Sequence, residues 1–156
     1  LCPDYARIYP LLVMNGSLIE TWFHKGDYTP LSIEEAVRLS KKMYYIFEKY
    51  HVNVIRMGLK ASDFMEDTSK VIAGPWHPAF GHLVFSSIMF DAACRAVEQH
   101  IQHSDQKSIT LKVHPKSESR LRGNKNSNIK KLMDRYPGTA FKIAQDESLA
   151  LNSVVI

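Results

Sequence analysis

The chain has 156 residues, 45% of them apolar and 23% charged, which suits one domain with a real core or two small lobes and excludes a disordered chain. No apolar run approaches the roughly 18 residues a bilayer span needs, and the longest, IYPLLVM, is interrupted by Pro10, so no membrane is expected as a partner. The net charge of +4 is uneven: residues 107–142 hold ten basic and two acidic residues, a net +8 that leaves −4 for the rest, and such asymmetry points to an anionic partner near the C-terminus.

Arg7 to Met14 are aromatic, aliphatic and β-branched and end at Asn15-Gly16, which predicts one buried strand closed by a tight turn. Ser17 is placed to cap a short helix over Leu18–His24 that Lys25-Gly26 ends. Ser32 and Glu35 form a capping box, and Ile33, Val37, Ser40, Tyr44 and Phe47 recur at helical spacing, predicting a helix over 33–50. VNVIRMGL then reads as a strand ended by Gly58. Two strands joined by a helical crossover are parallel neighbours, the unit of α/β sheets and barrels.

Lys60–Lys70 is polar and irregular, and VIAGPWHPAFGH reads as a linker or structured loop. Pro78 suits a first helical turn, and Leu83, Ser87, Phe90, Cys94, Val97 and Ile101 mark a long amphipathic helix. ITLKVH alternates as a half-buried strand. Ile129, Leu132, Met133 and Tyr136 mark a helix stopped by Pro137-Gly138, and AFKIA and SVVI are closing strands.

RIYPLLVMNGSLIETWFHKGDYTPLSIEEAV, VIRMGL and GPWHPAFGHLV, in that order over roughly residues 3–85, carry a family resemblance. Together they resemble the end of the radical S-adenosylmethionine (radical SAM) domain in the elongator catalytic-subunit and oxygen-independent coproporphyrinogen oxidase-like group. With a long helix and a small α+β lobe expected over 76–156 from the pattern of elements, the resemblance implies an α/β fold whose residues 1–75 are the tail of a partial (β/α) barrel. It also implies an iron–sulfur oxidoreductase or transferase. That family holds its cluster with a CxxxCxxC loop, which this chain lacks, and a cluster needs those thiolates. A 4Fe–4S cluster and S-adenosylmethionine are therefore implied for a full-length protein, with no cofactor and no catalytic residue in this fragment. The start, LCPDYARIYP, has neither an initiator methionine nor a signal peptide, and an excised piece of a longer enzyme is the expectation.

Barrel enzymes place substrate-facing groups at the carboxyl ends of strands, which nominates Arg56 and Tyr9; the bland alternatives are a structural ion pair for Arg56 and a core position for Tyr9. Cys2 and Cys94 are unclustered, so a reduced, cytoplasmic setting is expected and Cys94 reads as packing. His77 and His82 lack both helical zinc spacing and a third ligand, and no metal site is expected. His100 and His103 suit a helix end, and the pairs Glu34-Glu35, Glu66-Asp67 and Asp146-Glu147 read as helix-start or loop charges.

ITLKVH, KSESRL, RGNKN, SNIKKLMDRY and AFKIA follow one another as strand, short helix, loop, helix and strand. That order is similar to the minimal KH-type RNA-binding core, whose GxxG loop lies along a nucleic-acid backbone. The resemblance nominates Arg120, Arg122, Gly123, Asn124, Lys125, Asn126, Lys130 and Lys131 as RNA-binding. Asn126 stands where the motif has glycine; asparagine tolerates a left-handed backbone better than other residues with a side chain. The expected partners are RNA, in the first place transfer RNA, the missing N-terminal radical SAM segment, and a second copy through the open barrel edge. Two other readings stay open: an accessory domain of an enzyme acting on a small molecule, and a protein-interaction module for an acidic partner.

Overall fold

The apolar run over Arg7–Met14 forms two strands rather than one: β1 (Tyr5–Ile8) and β2 (Val13–Met14). Pro10 lies between them and offers no N–H to a ladder, so the chain leaves one sheet and enters another. β1 pairs in parallel with β3 (Asn53–Met57), as the strand–helix–strand pattern requires. β2 pairs antiparallel with β4 (Val71–Ala73), which lies in the stretch expected as a loop.

These coordinates are a computed structural model that describes residues 3–59, 70–102 and 108–156. Cys2, residues 60–69 with the Glu66-Asp67 pair, His103 and Lys107 lie outside the described residues. The chain divides into two compact units, Leu1–Val84 and Phe85–Ile156.

In the first unit, α1 (Leu18–Lys25) follows the turn at Asn15-Gly16. Ser17 occupies its N-cap position without making the side-chain cap; its hydroxyl donates back to the Met14 carbonyl, while the Glu20 carboxylate accepts from the Gly16 N–H at 2.7 Å. α2 (Ile33–Lys49) carries the full capping box: Ser32 Oγ accepts from the Glu35 N–H at 3.1 Å, and the Glu35 carboxylate accepts from the Ser32 N–H at 2.8 Å. Its first turn is thereby satisfied. α2 buries Ala36 and Ser40, whereas Leu39, Met43, Ile46 and Tyr50 form an exposed apolar stripe at spacings of four, three and four.

The carboxyl ends of β1 and β3 are tied by the Gly58 N–H donating to the Ile8 carbonyl at 2.8 Å. Gly58 has φ +75, and a Cβ there would lie 2.7 Å from Phe80 Cβ, so the strand can end against Phe80 only through glycine. His77 Nδ1 accepts the Ala79 N–H at 3.0 Å, and His114 Nδ1 accepts the Lys116 N–H at 3.1 Å. Both histidines precede a proline at a helical start, so each caps a turn.

The long helix α3 runs Phe80–Ile101. It is long and apolar enough, by length and composition alone, to cross a membrane, although interspersed polar residues leave it no unbroken apolar run. Its buried line differs from the expected one: Met89, Ala93, Cys94 and Val97 are buried, Leu83, Ser87 and Phe90 are half-buried, and Ile101 is exposed. A helix apolar on several sides does not declare its core face by periodicity.

In the second unit that line packs with Ile109, Leu111 and Val113 from β5 (Ser108–Val113), Leu121 from α4 (Glu118–Arg122) and Leu132 from α5 (Ser127–Arg135). β5 lies between β6 (Ala140–Gln145), to which it is parallel, and β7 (Val154–Val155), to which it is antiparallel. Alternation along β5 turns Ile109, Leu111 and Val113 inward and leaves Lys112 exposed. The described fold is α/β throughout, as expected.

Candidate nucleic-acid interface

Gly123 ends α4 and opens the loop. It has φ +71 and ψ 175, a region almost reserved for glycine, and a Cβ there would lie 2.6 Å from Ser127 Oγ, 3.0 Å from Asn128 Cγ and 3.1 Å from Ser86 Oγ. The crowding comes from Asn128, 4% exposed, whose Nδ2 donates to the Ser86 carbonyl at 2.9 Å, to Ser86 Oγ at 3.0 Å and to the Arg120 carbonyl at 3.3 Å. One buried amide thus fastens α3, α4 and α5 beneath the loop. Buried polar groups of this kind are kept because leaving them unpaired is costly. The sequence reading missed Asn128 and Ser86 because their link spans 42 residues; the only local signal is an asparagine at the start of a helix.

Asn124–Asn126 make one tight turn that leaves the right-handed helical region. Lys125 has φ 50 and Asn126 has φ 61, so asparagine does take the left-handed conformation at the position where glycine stands in the motif. The Asn126 N–H donates to the Gly123 carbonyl at 3.2 Å and the Ser127 N–H to the Asn124 carbonyl. The N–H groups of Asn124 and Lys125 find no main-chain acceptor among the described residues. The exposed loop crest therefore carries main-chain donors beside the Lys125 side chain, an arrangement suited to an anion.

The nominated cations differ in how free they are. Arg120 donates through Nη1 to Asn152 Oδ1 at 2.7 Å, and its guanidinium lies 4.3 Å from the Phe85 ring centroid, so it is tied into the fold. Arg122 Nε contacts the Glu118 carboxylate at 2.7 Å. Hydrogen bonds from Gln145 and then from Arg122 hold the Glu118 carboxyl below its usual pKa. Lys131 Nζ stands 5.9 Å from the Phe90 ring centroid. Lys125, Lys130 and Lys131 are all exposed. Arg135, counted only toward the charge, contacts Glu98 at 2.8 Å.

In the first unit Arg56 is half-buried on β3 and stands in register with the exposed Arg7 of β1. No carboxylate among the described residues pairs with it. Like charges side by side on neighbouring strands are unfavourable without an anion between them, and Arg7 is the residue the sequence reading overlooked. Tyr9, 43% exposed, follows β1 outside the core. The crevice beyond these strand ends is lined by Pro10, Gly58, Pro75, Trp76 and Phe80 among others, and by neither Tyr9 nor Arg56.

A 4Fe–4S cluster does not fit this chain's own residues. The sequence has two cysteines; Cys94 is buried in the core of the second unit, and burial pushes its thiol pKa up, away from the thiolate a cluster requires. Among the described residues no group of three or more His, Cys, Asp or Glu side chains is placed to hold a metal.

Comparison with known proteins adds three findings. A tRNA uridine(34) acetyltransferase of Dehalococcoides mccartyi (strain CBDB1) is 45% identical over 29 residues, 19% of this chain and 6% of that protein, so the match spans a small part of the relative's length. No solved structure matches. The model of the radical SAM C-terminal domain matches residues 3–89, more than half of the chain, and the chain belongs to that family.

Proposed function

We propose that this chain is the C-terminal portion of a radical SAM enzyme and that its basic lobe binds RNA, in the first place transfer RNA, for modification elsewhere in the full protein. The observation that carries the reading is the crest Asn124–Lys125: two main-chain N–H groups without a main-chain acceptor among the described residues, beside exposed Lys125, Lys130 and Lys131. A phosphate backbone offers that surface closely spaced negative charge, and helix α5 turns its positive N-terminal end toward the same loop. Gly123, Asn124, Lys125 and Asn126 form the KH-like clamp in this account, with Lys130 and Lys131 extending it along α5. Arg120 and Arg122 hold the loop's entry in place rather than reaching for RNA, since each already has a partner. The tRNA in the relative's name supports RNA over a small-molecule substrate.

The same proposal assigns the iron–sulfur cluster and S-adenosylmethionine to the rest of the full-length protein, in a cytoplasmic setting. The exposed stripe Leu39, Met43, Ile46 and Tyr50 on α2 and the two-stranded β1–β3 sheet fit a barrel tail that the remaining barrel covers. Arg7 and Arg56 would face a substrate or cofactor anion there. In the isolated chain the same surface favours self-association.

Titration of labelled tRNA at rising salt tests the RNA reading. Binding should weaken steeply with salt, and Lys125→Ala, Lys130→Ala and Lys131→Ala together should reduce it by about two orders of magnitude at low salt. No binding at 50 mM salt, or equal binding by the triple variant, would overturn it.

A further inference from the structure

The second unit has another concave surface, lined by none of the loop residues Gly123–Asn126. A groove of about 320 Å³ runs between one face of α3, through Ala92, Arg95, Ala96 and Gln99, and the chain at Asn152–Val154 leading into β7. Its floor is small-side-chained. Arg95 is exposed and has neither an ion pair nor a hydrogen bond among the described residues.

The wall opposite α3 is held in place. Asn152, at φ 61, donates its N–H to Ser117 Oγ at 3.2 Å and accepts from Arg120 at 2.7 Å, while Ser153 Oγ donates to the Ala150 carbonyl at 2.7 Å. Among the described residues β7 pairs only with β5, and its other edge is open. In an antiparallel strand each residue turns both main-chain groups to the same side, and one of Val154 and Val155 therefore presents its N–H and C=O outward.

An open strand edge beside a helix, with shallow space between them, is the geometry in which an extended peptide adds a strand. The charge selects the peptide's sign: no carboxylate lines the groove, and Arg95 stands at its rim as a guanidinium able to take a carboxylate in two parallel hydrogen bonds. Nucleic acid suits it less well, because neither an aromatic ring for base stacking nor a lysine lines it. We infer that this groove binds an extended acidic segment of a partner protein by strand addition to β7, with Arg95 pairing a glutamate or aspartate of the segment. The edge is two residues long, so the association is weak and reversible. The inference does not depend on RNA binding by the loop.

The test is an amide NMR titration of the ¹⁵N-labelled 156-residue chain with an acetylated octapeptide alternating valine and glutamate. The same peptide with lysine for glutamate, and tRNA, are run in parallel. The glutamate peptide should shift the amides of Ala92, Ala96, Ser153, Val154 and Val155, and the lysine peptide should not. Arg95→Glu, an exposed change, should weaken the glutamate peptide at least about tenfold, the loss of one charge-assisted contact. Ala96→Trp should block the groove, with retained amide dispersion showing that the variant is folded. Failure of the glutamate peptide to bind at millimolar concentration would overturn the inference. So would shifts centred on Lys125–Lys131, equal affinity for Arg95→Glu, or tRNA displacing the peptide from the groove residues.

Discussion

Replacing Gly123 by alanine tests how the loop is built. The substitution places a methyl group at φ +71, ψ 175, a backbone region costing an L-residue on the order of 1–3 kcal/mol. It also sets that carbon 2.6 Å from Ser127 Oγ and 3.0 Å from Asn128 Cγ. Relief requires Asn128 to move off the Ser86 and Arg120 carbonyls, and one buried hydrogen bond lost without replacement costs about 1–3 kcal/mol. The total comes to about 2–6 kcal/mol. Gly138 supplies the control: its φ is +82 and a Cβ there meets nothing within 4 Å, so alanine costs it about 1 kcal/mol of backbone strain alone. Both tryptophans, Trp22 and Trp76, lie in the first unit, so urea unfolding should be followed through methyl signals of Leu121 and Leu132. If Gly123→Ala costs no more than Gly138→Ala, the close packing of Asn128 against the loop is not what stabilises it.

Asn128→Ala should destabilise the second unit by about 2–3 kcal/mol in the same urea experiment, since it strands the Ser86 carbonyl, whereas an effect below about 0.5 kcal/mol would mean that water replaces the amide. Ser32→Ala removes the acceptor of the Glu35 N–H and should cost about 1 kcal/mol, read as a lowered unfolding midpoint of the first unit. Tyr136 gives an alkaline prediction. Burial first, then nearby Cys94, then its hydrogen bond to Glu98, raise the phenol pKa from 10.0 to about 12. The folded state thus holds this proton more tightly than the unfolded chain, so the stabilisation is complete below about pH 10 and is lost as pH rises through about 12. Tyr136→Phe should flatten that part of the stability curve, and an unchanged alkaline limb would refute the assignment.

Local signals in the sequence were sufficient where the physics is local. Ser32 and Glu35 satisfy each other within one turn, and Ile109, Leu111 and Val113 alternate because one face of β5 is buried. The split of Arg7–Met14 into two strands was not legible, because an apolar run looks the same whether it feeds one sheet or two. β4 escaped notice because its three residues are strand only through pairing with β2, nearly sixty positions earlier. In the basic lobe the charges could be counted but their partners could not. Arg122 pairs within its own helix, yet Arg120 meets Asn152 and Phe85, and those contacts follow from tertiary packing alone. The left-handed Asn126 was legible from residue type; the buried Asn128 that fixes the loop was not.

The central claim is that the Gly123–Lys131 region is the RNA-facing surface. Mapping tRNA onto the ¹⁵N-labelled chain by amide shifts and broadening at low salt tests it most directly. The largest effects should fall at Asn124, Lys125, Lys130 and Lys131 and reverse with added salt, with Ala92 and Ala96 unaffected. Effects spread evenly over all exposed lysines, including Lys112 and Lys142, or absent from Asn124 and Lys125, would contradict it.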